Sequence, residues 1–408
     1  MLLDALLEKR RGLLAEAMER DGEWPERSRW IRRAVDALPR HLFAPDRLWR
    51  WDGSACAYLP VDRGADAQEW AAEVYAGPGD PAVTQVTGGR ASSSLSCQAV
   101  VVDMLDSLLP EPGHTVLELG TGTGWNAALL AWRAGPGVTS VEVDPELAAA
   151  ARGRLEALRD AVGAEAAVEV GDGAEGRPSR APYDRVISTY AVDEVPWPWV
   201  AQTRPGGRIV TPWGQLGHVA LTVAGDGRSA TGWIQGLAQF MPARGADPGR
   251  HWRQVRGDGP PEEERPFHRD VRLLRDDAHL LFALRVALPD VRVTTAADGE
   301  GANAWLHDGV SSWATLAAPG DGGARAYQGG PRRLADELER AWQEWSALGE
   351  PELYDYGMTV TPDRQYVWCR DADTGPRWPM TAPVPGLGVS EIRAPGVRRA
   401  GEQGRRGA

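Results

Sequence analysis

The sequence predicts an α/β fold in which strands and helices alternate around a parallel sheet, followed by a smaller α+β domain. A β-branched and leucine-rich run at 115–119 leads into three alternating glycines and a helical segment at 125–134. Further short apolar runs follow at the spacing of βα repeats, at residues 138–143, 166–170, 183–189 and 207–212. Beyond residue 266 a second, smaller set of helical and strand patterns begins.

The first strand ends in a glycine turn made of Gly120, Thr121, Gly122, Thr123 and Gly124. A strand, a glycine turn and a helix bring backbone and a helix N-terminus close to a nucleotide-like ligand. The spacing is G-x-G-x-G, and Trp125 stands where a dinucleotide-binding fingerprint has its last glycine. Glu118, just before the turn, is typical of S-adenosylmethionine sites. A tight structural turn is the alternative explanation.

The next two strand ends also carry acidic residues. The strand at 138–143 leads into Glu142, Val143 and Asp144, and Glu142 lies 22 residues after Gly120. An acid at this position of a βαβ unit can bind ribose hydroxyls, although a solvated strand-end acid is the alternative. The third strand runs into Gly171, Asp172 and Gly173, where the acid can accept a hydrogen bond from an adenine amino group. Together the three strand ends predict an S-adenosylmethionine cofactor and a Rossmann-like class I methyltransferase core.

Composition limits the partners. The chain has 408 residues and a net charge of −12, with a pI near 5.2. This acidic balance argues against a nucleic-acid substrate and favours a polypeptide. Cys56, Cys97 and Cys369 are far apart and have no histidine cluster beside them, so we expect neither disulfides nor a metal, and a cytoplasmic location. No stretch resembles a signal peptide or a membrane span, so no membrane partner is expected.

The predicted organisation has five parts. Residues 1–90 form a helical and loop region that covers the active site, and residues 91–245 form the cofactor-binding core. Residues 246–266, rich in Pro, Gly, Arg and Glu, form a linker. Residues 267–385 form a C-terminal α+β domain with an amphipathic helix at 331–348 and a strand pair at 357–368. Residues 386–408 form a disordered tail, and we expect a monomer.

Hydroxyl groups are candidates for binding an acceptor. Ser93, Ser94 and Ser96 stand in a run just before a predicted helix at 99–109, where they are either helix caps or point at the transferable methyl group. Thr189 and Tyr190 follow the fourth strand of the core. Loops at the carboxyl ends of parallel strands form the ligand crevice, so both residues are candidates to line the substrate pocket. Ordinary loop packing is an equally open explanation.

Residues 30–214 resemble protein-L-isoaspartate O-methyltransferases. The resemblance lies in Ser96 with its following helix and in the segments 38–45, 116–127, 141–144, 171–173, 181–184 and 204–210. It implies that Ser96 contacts the substrate carboxylate, Glu142 the ribose and Asp172 the adenine. Two departures stand out: Ser96-Cys97-Gln98 replaces the family's Ser-Gln-Pro, and Tyr190 replaces a small residue.

The whole chain is similar to variant methyltransferases encoded with ribosomally made modified peptides, namely graspetides, lasso peptides and lanthipeptides. Residues 357–368 are similar to the graspetide and lasso peptide types. This similarity implies esterification of an ordinary Asp side chain in a macrocyclic precursor peptide, which then forms an aspartimide or isoaspartate. Because methyl transfer does not need the C-terminal domain, we expect that domain to recognise the precursor. Two alternatives stay open: a repair enzyme for L-isoaspartyl damage, and a protein that binds S-adenosylmethionine without turnover.

Overall fold

The computed structural model describes residues 2–163, 165–214, 216–245, 250–298, 301–319 and 323–380. By their internal contacts these residues fall into a first unit, residues 2–116 and 121–171, and a second unit, residues 117–120 and 172–380. The division passes through a strand, β5, and through the glycine turn. The predicted tail at 386–408 lies outside the described residues.

The first unit contains both helices and strands. Its elements are α1 (Leu2–Arg20), α2 (Trp30–Ala37), β1 (Arg47–Asp52), β2 (Ala57–Asp62), α3 (Ala67–Val74), β3 (Ala82–Thr87), β4 (Arg90–Leu95), α4 (Gln98–Leu108), the start of β5 (Val116–Leu119), α5 (Trp125–Ala134), β6 (Val138–Glu142), α6 (Pro145–Ala157), α7 (Arg159–Val162) and β7 (Ala166–Val170).

The N-terminal region, predicted to consist of helices and loops, also contains a four-stranded antiparallel sheet in the order β2-β1-β3-β4. Asp52 turns the first hairpin by accepting the backbone N–H groups of Ser54 and Ala55, both over 2.8 Å. The rings of Trp51 and Tyr58 then pack edge to face across the hairpin, with centroids 5.1 Å apart. Such cross-strand aromatic pairs stabilise a sheet.

The second half of the first unit has the predicted α/β pattern. Strands β6 and β7 pair in parallel, from Val138 opposite Ala166 to Glu142 opposite Val170. The connecting helix α6 begins at Asp144, whose carboxylate accepts the backbone N–H groups of Glu146 and Leu147, with Pro145 in the first turn. Each of these is a helix-start signal in the sequence.

The second unit begins with the rest of β5 and continues with β8 (Tyr183–Ser188), α8 (Trp197–Ala201), β9 (Thr203–Trp213), β10 (Gly217–Val223), β11 (Ala230–Leu237), α9 (Trp252–Arg256), β12 (Glu263–Pro266), α10 (Leu273–Asp276), α11 (Ala278–Ala287), β13 (Arg292–Asp298), β14 (Gly301–His307), β15 (Trp313–Pro319), β16 (Arg325–Gly329), α12 (Leu334–Ala347), β17 (Tyr356–Val360), β18 (Gln365–Cys369) and β19 (Arg377–Pro379).

C-terminal strands extend the core sheet of the second unit. Strands β8 and β9 are parallel, and an antiparallel series β9-β10-β11-β17-β18-β19 follows. The pairing of β17 with β11 joins Ala230 to Val360 and Trp233 to Gly357. The predicted strand pair at 357–368 is therefore present, but it adds to the sheet that β9–β11 begin.

The remaining C-terminal strands form a five-stranded antiparallel sheet in the order β12-β16-β15-β14-β13. Helix α12 lies against it and buries the predicted apolar face of Leu334, Leu338, Trp342 and Trp345. The segment expected to be a linker, 246–266, contains α9 and β12. Helix α9 is short, but a capping box between His251 and Gln254 closes its N-terminus. No helix among the described ranges has the length and apolar character needed to cross a membrane.

Candidate functional site

In the first unit, the shape of the glycine turn depends on glycines in a left-handed backbone conformation. Gly122 and Gly124 have φ of +54° and +90°, in the left-handed region that favours glycine. The side chain of Thr121, just before Gly122, and that of Thr123, between the two glycines, are both buried. The Thr121 hydroxyl is hydrogen-bonded to the Ser140 hydroxyl over 2.5 Å. The turn therefore presents backbone atoms while its side chains point into the protein.

Glu142 is tied to this turn. Its Oε2 accepts the backbone N–H of Gly122 over 2.9 Å, and its Oε1 accepts that of Asp144 over 3.1 Å. The side chain is only 5% exposed. Each carboxylate oxygen keeps a further lone pair, so the group can accept the hydroxyls of a ribose and still support the turn. Val143 beside it is 47% exposed and offers an apolar surface.

Asp144, also predicted to bind cofactor, acts as the N-cap of α6 through Oδ1. Its Oδ2 accepts a hydrogen bond from the Gln85 side chain over 3.1 Å, and the Gln85 amide oxygen accepts the Ser92 hydroxyl over 2.9 Å. A polar chain thus links the β3–β4 hairpin to the end of β6. Gln85 was not singled out from the sequence, because its partner lies 59 positions away.

The serine run lies on a strand rather than at a helix start. Ser93 and Ser94 belong to β4, and the N-cap of α4 is Cys97, which makes no side-chain capping bond. The capping alternative is therefore wrong for the two strand serines and is not realised at Ser96. A β-carbon built on Gly122 would lie 3.9 Å from both the Ser93 hydroxyl and the Ser94 carbonyl oxygen. The strand and the glycine turn are thus near neighbours.

A buried arginine supports the chain on either side of Ser96. The Nη2 of Arg40 donates to the carbonyl oxygens of Leu95 and Ser96, over 3.2 and 3.1 Å. Its guanidinium lies 5.5 Å from the ring centroid of Trp125, whose indole N–H donates to Leu38. Burial lowers the pKa of Arg40 to about 10, so the group stays charged at neutral pH. Burial likewise raises the pKa of the Cys97 thiol.

In the second unit, acidic and glycine residues again stand at strand ends. Glu118 is fully buried in β5, and Gly120 after it has φ of +92°. A β-carbon on Gly120 would lie 2.5 Å from the Thr189 hydroxyl. That hydroxyl donates to the carbonyl oxygens of Leu119 and Gly120, over 3.2 and 2.5 Å. Thr189 therefore fixes the start of the glycine turn as well as following β8.

Asp172 opens a short helical turn, Gly173–Glu175, and its Oδ1 accepts the backbone N–H of Ala174 over 2.9 Å. Gly173 is a point of close packing, because a β-carbon there would overlap the Tyr190 hydroxyl. Trp199 completes the cluster: its indole donates to the Gly173 carbonyl over 2.8 Å, and its ring packs edge to face with Tyr190. Tyr190, large for its position, fits because residue 173 is glycine.

The remaining predicted site residue, Gly171, closes the first unit. Its backbone N–H donates to the Glu142 carbonyl over 3.0 Å, which extends the β6–β7 pairing past the strand end. Across the described ranges, no group of three or more His, Cys, Asp or Glu side chains is placed to hold a metal ion. The predicted cofactor and acceptor residues are thus found in two sets, one in each unit.

Comparison with known proteins places this geometry in context. A family model for protein-L-isoaspartate(D-aspartate) O-methyltransferases matches residues 30–232. A protein-L-isoaspartate O-methyltransferase of Hyperthermus butylicus is 33% identical over 221 residues, 52% of this chain and 78% of that protein. One of Pyrococcus horikoshii is 34% identical over 188 residues, 46% of this chain and 71% of that protein. A solved structure titled protein-L-isoaspartate O-methyltransferase covers 89% of this chain and 100% of its own, with 22% identity and a TM-score of 0.48.

Proposed function

Because the chain belongs to the protein-L-isoaspartate O-methyltransferase family, we propose that it methylates the carboxylate of L-isoaspartyl residues in proteins or peptides. Membership makes it a class I, S-adenosylmethionine-dependent protein carboxyl methyltransferase. The observation that carries the proposal is the placement of the hydroxyl-bearing strand β4 beside the glycine turn that Glu142 holds. A cytoplasmic location and a monomeric state stay predictions.

The residues fit the cofactor. When bound, S-adenosylmethionine supplies an electrophilic methyl group on a sulfonium sulfur. The Glu142 carboxylate would hold the ribose hydroxyls, and the exposed face of Val143 would contact the adenine. Asp172 would accept the adenine amino group with the oxygen that does not cap Ala174. The backbone of Gly120, Gly122 and Gly124 would let the cofactor approach closely, because these residues have no side chain. Their left-handed conformation favours glycine over other residues. Glu118, Thr121, Thr123, Asp144, Gly171 and Gly173 would act by supporting these groups.

The acceptor needs orientation more than activation. A carboxylate is ionised near neutral pH and needs no general base. The protein must align its attacking oxygen with the methyl carbon and exclude water. We assign the Ser96 hydroxyl to donate to the non-attacking oxygen, with Ser93 and Ser94 on the adjoining strand as further donors. Thr189 and Tyr190 shape the pocket, Thr189 through its bond to Gly120.

The decisive experiment offers a model peptide containing L-isoaspartate and its L-aspartate isomer, each with labelled S-adenosylmethionine. We expect label only in the isoaspartyl peptide. Label in the aspartyl peptide alone, or no label in either while protein binding of the cofactor is intact, would contradict this acceptor.

A second candidate is esterification of an ordinary Asp in a macrocyclic precursor peptide, with later aspartimide or isoaspartate formation, as in graspetide, lasso peptide and lanthipeptide pathways. The observation that favours it is the size of the region beyond the family match: residues 263–380 supply eight strands, β12 to β19. A constrained peptide loses less conformational entropy on binding, so such a region could select it by shape.

The second candidate is tested on the full chain, because β17 pairs with β11 and truncation would remove part of the core sheet. Linear and macrocyclic forms of one precursor are compared with the isoaspartyl model peptide. Much faster methylation of the macrocycle than of either other peptide would favour tailoring. Equal or faster turnover of the isoaspartyl peptide would favour the repair reaction.

A further inference from the structure

The segment that follows β8 carries two candidate pocket residues and lies wholly in the second unit. We call residues 189–196 the pocket loop. Its first half is hydrogen-bonded to β9 and to the segment after β11. The Ala191 N–H donates to the Met241 carbonyl over 2.9 Å, and the Val192 N–H donates to the Pro212 carbonyl over 3.2 Å. The Asp193 carbonyl accepts the Trp213 indole N–H over 2.8 Å. The first half is therefore fixed by its own core.

The second half is held by a side chain from the C-terminal region. The Gln365 amide oxygen accepts the backbone N–H of Val195 over 2.9 Å, and the Gln365 amide nitrogen donates to the Val195 carbonyl over 2.7 Å. Val195 is fully buried. One side chain thus satisfies both backbone groups of a buried residue that lies 170 positions earlier in the chain.

Gln365 is itself rigidly placed. It is the first residue of β18 and pairs with Val360 of β17. Its own carbonyl accepts the backbone N–H of Met380 over 3.1 Å. Because β17 is hydrogen-bonded to β11, the amide is anchored to the sheet on which the pocket loop rests. A fixed donor and acceptor can hold a loop in one conformation, which a mobile side chain cannot do.

We propose that Gln365 is a positioning residue that fixes the second half of the pocket loop, which follows Tyr190, in the conformation that admits the acceptor peptide. The inference rests on the proposed function of the chain as a peptide carboxyl methyltransferase. Without the amide, the N–H and carbonyl of Val195 would be buried with no partner, which is costly. The loop would then open to reach water, and the pocket would be ordered only part of the time.

The test compares Gln365→Leu, Gln365→Glu and the control Gln235→Leu with the wild type. Gln235 lies on β11 and is half-buried like Gln365, and its side-chain amide donates to the carbonyl oxygen of Trp233, two residues earlier. For Gln365→Leu we expect amide exchange in the second half of the pocket loop to rise about tenfold or more. We expect kcat/KM for the isoaspartyl peptide to fall about tenfold because KM rises. Cofactor affinity should stay within about twofold of the wild type. The substitution changes how often the loop is open, but it does not remove a contact to the cofactor.

The two other variants separate positioning from general stability. A carboxylate at 365 accepts the Val195 N–H but repels its carbonyl, so Gln365→Glu should lie between the wild type and Gln365→Leu. Gln235→Leu should leave both exchange and KM unchanged. Unaltered exchange in the second half of the pocket loop of Gln365→Leu overturns the proposal, as does a rise spread equally over β9–β11. If the wild type methylates no peptide, the proposed function fails, while the exchange data still decide whether Gln365 holds the loop.

Discussion

The Arg40 guanidinium holds the backbone carbonyl of Ser96 over 3.1 Å. The same nitrogen holds Leu95, so the end of β4 and the entry to α4 are fixed by one buried side chain. The backbone of Ser96 therefore does not depend on its own hydroxyl for its conformation. Replacing the hydroxyl should therefore test its role in the reaction without changing the local backbone.

Ser96→Ala should lower the methylation rate and leave folding and cofactor affinity almost unchanged. The lost hydrogen bond is to a charged carboxylate, so we expect a decrease in kcat/KM of about 10- to 100-fold. Initial rates with the acceptor peptide, cofactor titration and a melting curve check this. Normal turnover with an earlier melt would give the hydroxyl a structural role. Ser93→Ala and Ser94→Ala would then be the variants to measure.

Glu142→Ala should weaken cofactor binding by about 1.5–3 kcal/mol, because it removes charge-assisted hydrogen bonds to the ribose. It also frees the Gly122 and Asp144 N–H groups. Glu142→Gln separates the two effects, since the amide oxygen can still accept one N–H while the charge is lost. Calorimetric titration of the cofactor is the measurement. Affinity equal to the wild type in both variants would refute the ribose assignment.

Gly173→Ala should destabilise the second unit by about 1–3 kcal/mol, the usual effect of overpacking. The added methyl group overlaps the Tyr190 hydroxyl, whereas the nearest ring carbon is 3.2 Å away. Tyr190→Phe in the same chain should therefore restore part of the lost stability. Urea unfolding of the two single variants and the double variant measures the coupling. Gly153→Ala on α6, with open space around it, serves as the control and should not destabilise.

His307→Asn should flatten the pH dependence of stability between pH 6.5 and about 4. Burial, and then the charge of Arg292, lowers the pKa of His307 to about 4, and its Nδ1 accepts the Gly309 N–H. Between the folded and unfolded pKa values the unfolded chain binds more protons, so folded-state stability falls as the pH drops below 6.5. Above pH 6.5 this contribution is constant. Urea midpoints for both proteins at several pH values test it, and parallel curves would contradict it.

The local parts of the site could be predicted from the sequence. The glycine turn, Glu142 and Asp172 each sit within a few residues of a strand end, where spacing and residue type are informative. The family resemblance over residues 30–214 is confirmed by relatives at 33% and 34% identity. The finer assignment to modified-peptide pathways stays a prediction, as do the five-part domain scheme and the roles of the individual site residues.

Long-range pairing is what the sequence did not reveal. In the N-terminal region, where helices and loops were predicted, Trp49 pairs with Val83, and the glycine- and aspartate-rich stretches between the strands hide the strand pattern. The serine run has little apolar alternation, so its strand character comes from pairing with β3. Gln365 offers no signal at all, since an exposed-strand glutamine and one that bonds to Val195 look identical in sequence.

The pairing of β11 with β17 limits which segments can be exchanged between relatives to change substrate preference. Gly232 and Gly357 pack so closely that a β-carbon on Gly357 would lie 2.7 Å from the Gly232 carbonyl and overlap the Trp368 ring. A chimaera joined at residues 246–266 would pair a foreign β17 with the native β11, and any bulkier residue at 357 would block that seam. A chimaera that folds must therefore take Gly232, Gly357 and Trp368 from the same parent. The exchanged segment then begins before β11 and not at the boundary that the sequence indicates at 246–266.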